Sequence, residues 1–182
     1  MTIHETDIEG VLIIEPKVFR DERGYFYESY NKNEFGQHLS NVQFVQDNQS
    51  KSVRGVVRGL HYQLHPYAQT KLVRVLEGMI LDVAADLRKG SPTFGKWIGV
   101  ELSEDNMKQL LIPKGFAHGF SVLSETAVVF YKCDHFYNPE HERGIRLDDP
   151  ELAIDWKVSP EEMIISSRDA GLPLFRNAEI NF

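Results

Sequence analysis

The side chains most able to do chemistry lie in the stretch RGLHYQLHPYAQTK, residues 58–71, where two histidines stand near an arginine and a lysine. His61 and His65 are four residues apart. Four residues of extended strand span about 13 Å, which is too far for two imidazoles to bind one metal ion unless the chain folds back at Pro66. The spacing therefore disfavours a metal site at this pair, and a proton-transfer site or an ordinary core histidine stays open.

Strand alternation places two ionisable side chains among apolar ones. In KLVRVL, Lys71 shares a face with Val73 and Val75, so this lysine either extends along apolar surface to the rim of a barrel or has a function. In AVVFYK, Tyr131 ends a row of small apolar residues, and a buried tyrosine hydroxyl needs a hydrogen-bond partner. A core tyrosine with its hydroxyl at the rim explains this second pattern as well.

Arg58 and His61 have opposite parity along their strand. Both side chains can line one pocket only if the strand bulges between them, and Gly59 is well suited to allow a bulge. The sequence therefore predicts an irregular strand at this glycine.

Two amide side chains are expected in a partly apolar environment. Gln46 and Asn48 share one face of VQFVQDN with Phe44. Buried amides need hydrogen-bonding partners, and a polar ligand is one candidate.

The stretch IPKGFAHGFSV contains the pattern Pro-x-Gly-x-x-His, at Pro113, Gly115 and His118, which matches the later half of a cupin signature. The Pro-Gly turn reverses the chain, so the next strand would point His118 across a barrel. A plain turn followed by an ordinary strand histidine also fits. The match therefore supports a cupin-like fold more than it supports a metal.

The elements that carry these residues are mostly short strands. Apolar or alternating runs such as VLIIE, VQFVQ, MILDVAADL and WIGVEL recur along the chain, separated by turns that contain glycine or proline. Two short helices are predicted, over 31–40 and 159–163. This pattern predicts a mainly β fold, a closed barrel or jelly roll, in one domain spanning 1–182 with a C-terminal segment, 150–182, lying over it.

Composition excludes several classes of function. The net charge of −7 disfavours a nucleic-acid-binding protein, and no apolar run is long enough for a membrane helix. The single cysteine, Cys133, cannot form an intramolecular disulfide, so a reducing cytoplasm is the expected location. An anionic ligand would need a local cluster of arginines.

Eight motifs in order along the chain carry a resemblance to a known family. They are VLIIEPKVFRDERGYFYESYN, FVQDNQSKS, VVRGLHYQ, the Lys71 that follows it, LIPKGFAHGF, FYKCDHFYNPEHERGI, LDDPELAIDW and SSRDAGLPLF. On these motifs the chain resembles the dTDP-4-dehydrorhamnose 3,5-epimerase family of the cupin superfamily. The resemblance implies a cupin-type jelly-roll barrel with a few short helices, a homodimer whose N-terminal strands pair across the interface, and no metal or organic cofactor.

The resemblance also implies roles for individual residues. The catalytic set would be the base His61 with its partner Asp169, the acid Tyr131, and Lys71 beside the sugar ketone. The residues that would bind a dTDP-sugar, with Tyr137 stacking on thymine, are Arg23, Glu28, Gln46, Asn48, Arg58, His118, Tyr137, Glu142 and Arg168. Several members of the family carry lysine where Arg168 stands.

The implied substrate, dTDP-4-dehydro-6-deoxy-D-glucose, has a ketone at C4 between C–H bonds at C3 and C5. Inversion at either carbon needs a base on one side, an acid on the other and a donor at the oxygen of the enolate. Three alternatives stay open on the sequence. They are a 3-epimerase or 3,4-ketoisomerase acting on a dTDP-sugar, a metal-dependent cupin enzyme with His61 and His118 as ligands, and a non-catalytic sugar-binding module.

Overall fold

The computed structural model describes residues 1–39 and 41–182, and this part of the chain forms two facing antiparallel sheets and one separate hairpin. Its strands are β1 (Thr2–Glu5), β2 (Leu12–Glu15), β3 (Phe19–Asp21), β4 (Gly24–Phe26), β5 (Gln46–Val53), β6 (Val57–Gln63), β7 (Lys71–Glu77), β8 (Met79–Asp86), β9 (Trp97–Ser103), β10 (Gln109–Ile112), β11 (Phe116–Val122), β12 (Thr126–Cys133) and β13 (Glu142–Gly144).

The order of strands in each sheet differs from their order along the chain. One sheet runs β1, β2, β10, β7, β12, β5, and the other runs β13, β6, β11, β8, β9. The chain therefore crosses repeatedly between the sheets, which is the connectivity of a jelly roll. The prediction of a mainly β, cupin-type jelly-roll barrel with a few short helices is confirmed.

Apolar side chains fill the space between the sheets and also cover the back of the five-stranded sheet. The inner cluster includes Val73, Val75, Ile80, Ala84, Phe120, Ala127 and Val129. The outer cluster packs β8 and β11 against the C-terminal part of the chain through Leu147, Leu152, Trp156 and Phe175. Because both faces of β8 are covered, its sequence is apolar almost throughout. The predicted position of the segment 150–182, over the barrel, agrees with this packing.

The first short helix, α1, spans Lys32–Phe35 and continues as a 3₁₀ turn over Gly36–Leu39. The Asn31 side chain caps it by accepting a hydrogen bond from the backbone N–H of Asn33 at 3.1 Å. The predicted helix over 31–40 is thus present, while its last residue, Ser40, lies outside the described residues.

The second predicted helix, over 159–163, is wrong. This segment is a turn, closed by a hydrogen bond from Glu162 N–H to Ser159 O at 3.0 Å. The chain leaves the turn as extended backbone because Ile164 forms a β-bridge with Val56, donating to Gly55 O at 2.9 Å and accepting from Val57 N–H at 3.0 Å. The helix that does form nearby, α2, spans Ser167–Ala170 and was not predicted.

The predicted strand VQFVQ, 42–46, is also wrong except at its last residue, because β5 begins at Gln46. Phe44 instead packs its ring 5.3 Å from that of Tyr30 and against the cluster that contains Phe35. Tertiary packing of this side chain, and not pairing of its backbone, accounts for the apolar pattern. Within the described ranges, no helix has the length and hydropathy needed to cross a bilayer.

Candidate active site

A cavity of about 460 Å³ opens between the two sheets and receives side chains from both. Its polar lining consists of Ser50, Arg58, His61, Lys71, His118, Tyr131, Ser166, Arg168 and Asp169. An adjoining cavity of about 220 Å³ shares His61, Lys71 and Tyr131 with the first and is also lined by Gln46, Asn48, Gln63, Gln69, Cys133, Tyr137 and Glu142. Because the two cavities share these three ionisable residues, we treat them as two parts of one site.

The predicted bulge in β6 places Arg58 and His61 in the same cavity. His61 pairs with His118 on β11, whereas Arg58 pairs with Phe120, so three steps along β6 match two along β11. Gly59 has a φ of +127°, and a Cβ there would lie 2.6 Å from Gly119 Cα. Only glycine fits this position, and the bulge lets both side chains line the cavity.

His61 is hydrogen-bonded to Asp169, with 2.7 Å between His61 Nε2 and Asp169 Oδ1. Asp169 lies on α2, whose N-cap Ser166 accepts a hydrogen bond from the Asp169 backbone at 3.0 Å. Burial alone would raise the pKa of Asp169, but hydrogen bonds from His61, the Gly59 backbone and Ser166 outweigh burial and lower that pKa. An ionised carboxylate only accepts, so Nε2 carries the hydrogen and Nδ1 is the basic nitrogen of His61.

Lys71 begins β7 in the opposite, six-stranded sheet and lines both cavities. Its side chain shares the inward face with Val73 and Val75, which belong to the inner apolar cluster, as the alternation predicted. Burial lowers the pKa of Lys71 below its ordinary value. The inward position rules out a lysine that only extends over an outer apolar surface.

Tyr131 lies on β12, next to β7, and its ring centroid is 5.6 Å from Lys71 Nζ. Burial raises the pKa of the Tyr131 hydroxyl, so this group is protonated near neutral pH. His61 and Tyr131 thus approach one cavity from opposite sheets.

His118 also lines the larger cavity, and its ring is hydrogen-bonded to Asp82, a residue that was not among the predicted site residues. His118 Nε2 lies 2.8 Å from Oδ1 of Asp82 on β8, and both side chains are almost fully buried. Burial lowers the pKa of His118, and the negative charge of Asp82 only partly opposes this effect. The sequence contained a sign of this residue, because Asp82 alternates with Ile80 and Ala84 in MILDVAAD and so shares their inward face.

The smaller cavity gathers the predicted amide, tyrosine and glutamate residues. Gln46 Oε1 accepts from the Tyr137 backbone at 3.0 Å, and Gln46 Nε2 donates to Asn48 Oδ1 at 3.0 Å. Tyr137 Oη donates to Glu142 at 2.5 Å, and Arg168 forms an ion pair with the same carboxylate. Burial would raise the pKa of Glu142, but these hydrogen bonds from Tyr137 and Arg168 lower it.

Arg23 and Glu28 are the predicted site residues that line neither of these two cavities. Arg23 lies at the turn of the β3–β4 hairpin, where its side chain is 83% exposed and paired with Asp21. Glu28 is exposed and accepts a hydrogen bond from Asn31 at 3.1 Å. The hairpin pairs with neither large sheet, which explains why its residues stay away from the barrel interior.

His65 and Arg74, which are close in sequence to site residues, line neither cavity and have structural contacts. His65 follows β6 in a turn, and its ring lies 5.1 Å from that of Phe182. Arg74 donates to the Tyr27 hydroxyl at 3.2 Å and covers the Phe130 ring, so it ties the segment after the hairpin to the barrel. Across residues 1–39 and 41–182, no group of three or more His, Cys, Asp and Glu has an arrangement that could hold a metal ion.

Known proteins resemble this chain along almost its whole length. The family model described as dTDP-4-dehydrorhamnose 3,5-epimerase matches residues 5–177. The chain is 53% identical over 180 residues to the dTDP-4-dehydrorhamnose 3,5-epimerase of Shigella flexneri, and the match covers 98% of each chain.

Solved structures agree with this match. The structure of dTDP-4-dehydrorhamnose 3,5-epimerase from Elizabethkingia anophelis is 53% identical with a TM-score of 0.92 and covers 97% of both chains. The dTDP-6-deoxy-D-glucose-3,5-epimerase of Legionella pneumophila, solved in complex with dTDP-4-keto-L-rhamnose, is 51% identical with a TM-score of 0.92 and covers 97% of this chain and 93% of that one. The chain therefore belongs to the dTDP-4-dehydrorhamnose 3,5-epimerase family.

Proposed function

We propose that this protein is an epimerase that inverts C3 and C5 of dTDP-4-dehydro-6-deoxy-D-glucose and gives dTDP-4-dehydro-β-L-rhamnose, in dTDP-L-rhamnose biosynthesis. One observation carries the proposal. His61 and Tyr131 line a single cavity from opposite sheets, and Lys71 lies beside Tyr131 in the same cavity. A base and an acid on opposite sides of a sugar ring are what inversion requires.

His61 is the proposed base. The carboxylate of Asp169 fixes the hydrogen on Nε2, so Nδ1 is free to take a proton from carbon next to the C4 ketone. The imidazolium that forms is stabilised by the same carboxylate, as in other histidine–aspartate pairs. The resulting enolate carries its negative charge mainly on the C4 oxygen.

Lys71 is the proposed donor to this oxygen. Its ammonium lies in an interior where charge–charge interactions are strong because little water screens them. A donor of this kind that is aimed at developing charge contributes about 2.7 to 4 kcal/mol elsewhere. The lysine would therefore acidify both C3–H and C5–H through one shared oxygen.

Tyr131 is the proposed acid at C5. Its hydroxyl stays protonated near pH 7 and can deliver a proton to the face opposite His61. Delivery to that face inverts the carbon, whereas return of the proton from His61 restores the starting configuration. The two residues together decide whether exchange leads to inversion.

Five of the other predicted residues are proposed to bind the nucleotide part of the substrate. Arg58 and Arg168 supply positive charge for the diphosphate in a protein whose net charge is −7. Tyr137, which is half exposed, is proposed to stack on thymine, and Gln46 and Asn48 offer amides to polar atoms of the ligand.

We infer that the protein acts as a homodimer, in which the β3–β4 hairpin lies against a second copy. Three aromatic side chains of this hairpin are more than half exposed, namely Phe19 at 54%, Tyr25 at 58% and Phe26 at 67%. Exposed apolar surface of this kind marks association surfaces. A second copy that receives the hairpin would also receive Arg23 and Glu28, which this chain's own cavities lack.

Mixing two variants tests the shared site. Arg23→Ala and His61→Asn chains are unfolded and refolded together, and turnover is compared with that of each variant alone. A mixed dimer contains one site with both native residues, so activity above that of either variant supports the shared site. Turnover equal to the average of the separate variants would mean that Arg23 does not act across the interface.

The proposed reaction is tested by incubating the protein with dTDP-4-dehydro-6-deoxy-D-glucose in D₂O. Proton NMR of the product should show deuterium at both C3 and C5, with both centres inverted. Deuterium and inversion at C3 alone would indicate a 3-epimerase, and movement of the ketone to C3 would indicate a ketoisomerase. Absence of exchange, with the substrate still bound, would favour a binding module.

A further inference from the structure

One ionisable side chain inside the barrel has no role in the reaction proposed above. Asp82 lies on β8 in the row of Ile80 and Ala84, which faces the inner apolar cluster, and its exposure is 0%. A carboxylate in such surroundings destabilises the fold unless it is paired. Its position beside the candidate active site suggests a function.

The two carboxylate oxygens of Asp82 have different surroundings. Oδ1 accepts a hydrogen bond from His118 Nε2 at 2.8 Å. Oδ2 is buried and has no hydrogen-bond partner among the residues that the structure describes. Buried polar atoms in native proteins are nearly always hydrogen-bonded, so a free carboxylate oxygen in the interior requires a physical explanation.

Lys71 shares the larger cavity with the ionisable side chains of Arg58, His61, His118, Tyr131, Arg168 and Asp169, and the smaller one with those of Cys133, Tyr137 and Glu142. Asp82 lies behind this lining, hydrogen-bonded to His118. Burial raises the pKa of Cys133 to about 11 and also raises that of Tyr131, so both are neutral near pH 7. Glu142 is already paired with Arg168. Asp169 is paired with His61, whereas Asp82 is paired with the neutral His118 and, within residues 1–39 and 41–182, has no lysine or arginine partner.

We propose that Asp82 is a positioning residue for the epimerisation and acts through His118 and Lys71. Its Oδ1 holds the hydrogen of His118 on Nε2, which leaves Nδ1 as an acceptor. Its fixed negative charge keeps the Lys71 ammonium protonated while the C4 oxygen of the substrate is still a neutral ketone. This inference rests on the proposed function, since the ketone belongs to the proposed substrate.

The proposed function creates the need for such a charge. A neutral amine would not stabilise an enolate as an ammonium does, and burial lowers the pKa of Lys71 toward the neutral form. A nearby carboxylate opposes that shift before the substrate develops any charge. His118 donates a hydrogen bond to Oδ1 of Asp82. Because His118 is neutral, this hydrogen bond does not cancel the negative charge of Asp82.

The test is Asp82→Asn, which preserves shape and removes the charge. We expect kcat to fall about 10- to 100-fold, the size seen for supporting hydrogen-bond partners in metal sites, and KM to change less than about threefold. Loss of a negative charge lowers the pKa of Lys71, so the alkaline limb of the kcat profile should move to lower pH by about one unit. A limb at the wild-type position would overturn the proposal.

Asp86→Asn is the matched control. Asp86 is also fully buried on β8, but it is held by Arg88, Ser91 and Thr93 and lines neither cavity. This variant should melt at a lower temperature and keep the alkaline limb in place. An equal shift of the limb in Asp86→Asn would mean that loss of stability causes it, and the proposal would fail.

A measurement on the wild-type protein covers the case in which Asp82→Asn does not fold. Long-range proton–nitrogen NMR of the histidine rings, assigned with His118→Gln, reports which nitrogen carries the hydrogen. We expect the Nε2–H form for His118 at neutral pH. The Nδ1–H form would overturn the proposed role of Asp82.

The two proposals fail in different ways. If the wild-type protein exchanges no hydrogen at C3 or C5 of the keto-sugar, the proposed function is wrong. If the wild-type protein exchanges both hydrogens while Asp82→Asn matches its rate and pH profile, the proposed function stands and the role of Asp82 is wrong.

Discussion

Two histidine–carboxylate pairs lie side by side in the barrel and differ mainly in their access to the cavity. His61 and His118 are direct partners on the neighbouring strands β6 and β11. Their nitrogen–oxygen distances are nearly equal, 2.7 Å and 2.8 Å. The His61 side chain is 29% exposed, whereas that of His118 is 7% exposed. The His61–Asp169 pair is therefore accessible from the cavity, whereas the His118–Asp82 pair is buried in the cavity wall.

The carboxylates differ as well. Asp169 comes from α2, outside the sheets, and takes hydrogen bonds from His61, the Gly59 backbone and Ser166. Asp82 belongs to the sheet itself and has one oxygen without a partner in the described part of the chain. A fully supported carboxylate suits a histidine that changes charge during turnover.

Replacing each histidine in turn should separate the two pairs most widely. We expect His61→Asn to lower kcat by at least about 10³-fold, because general base catalysis contributes 10²- to 10⁴-fold. His118→Asn should lower kcat only about tenfold, since the family resemblance assigns the His118 ring to substrate binding and not to proton transfer. Steady-state kinetics measures both, and dTDP affinity by calorimetry should stay within a few-fold. A larger loss in His118→Asn would reverse the assignment of the pairs.

Lys71→Met tests the cation that faces both pairs. Loss of the donor to the enolate oxygen should lower kcat by about 10²- to 10³-fold with little change in KM. Lys71→Arg keeps the charge and is expected to retain part of the activity. Equal kinetics for Lys71→Met and the wild type would remove the lysine from the mechanism.

Asp169→Asn tests the carboxylate of the more exposed pair. The amide can donate as well as accept, so it no longer fixes the His61 hydrogen on Nε2. We expect kcat to fall about 10²-fold, the upper end of the effect seen for carboxylate partners of histidine in metal sites. The fall should be smaller than in His61→Asn because the base is still present. If the variant retains wild-type kcat, the pair is a structural contact only.

Of these variants, Arg168→Ala should change kcat the least. Its main effect should be weaker binding of the substrate. Arg168 lies next to Asp169 on α2, and its loss removes one positive charge from the anionic end of the substrate. KM should rise about tenfold while kcat stays within about twofold. Arg168→Lys, which keeps the charge, should recover most of the affinity. A fall in kcat alone would place this arginine in the chemical step.

The sequence predicted the barrel because alternation and turns are local signals. The inward positions of Lys71 and Tyr131 followed from strand parity, and the bulge at Gly59 followed from the need to bring Arg58 and His61 together. The resemblance to a known family supplied the pairing of His61 with Asp169, which are 108 positions apart. Spacing alone does not reveal such a contact.

What the sequence did not predict depends on tertiary packing. Asp82 lies inside an apolar run, and its pairing with His118 follows from the packing of β8 against β11. The turn over 159–163 has the composition of a helix start, but the β-bridge of Ile164 with the distant Val56 draws the chain into extended backbone. Arg23 and Glu28 matched the family motif, yet Arg23 lies on the β3–β4 hairpin and Glu28 two residues after it, and neither lines the two cavities of the site.

In the proposed reaction at C5, His61 removes the proton from one side of the sugar and Tyr131 supplies a proton on the other. The most direct test of this central claim is NMR of the keto-sugar after incubation in D₂O with Tyr131→Phe. His61 still removes protons in this variant, so deuterium should enter C5 while the configuration there is retained, whereas His61→Asn should exchange neither C3 nor C5. Inversion at C5 by Tyr131→Phe at the wild-type rate would contradict the account.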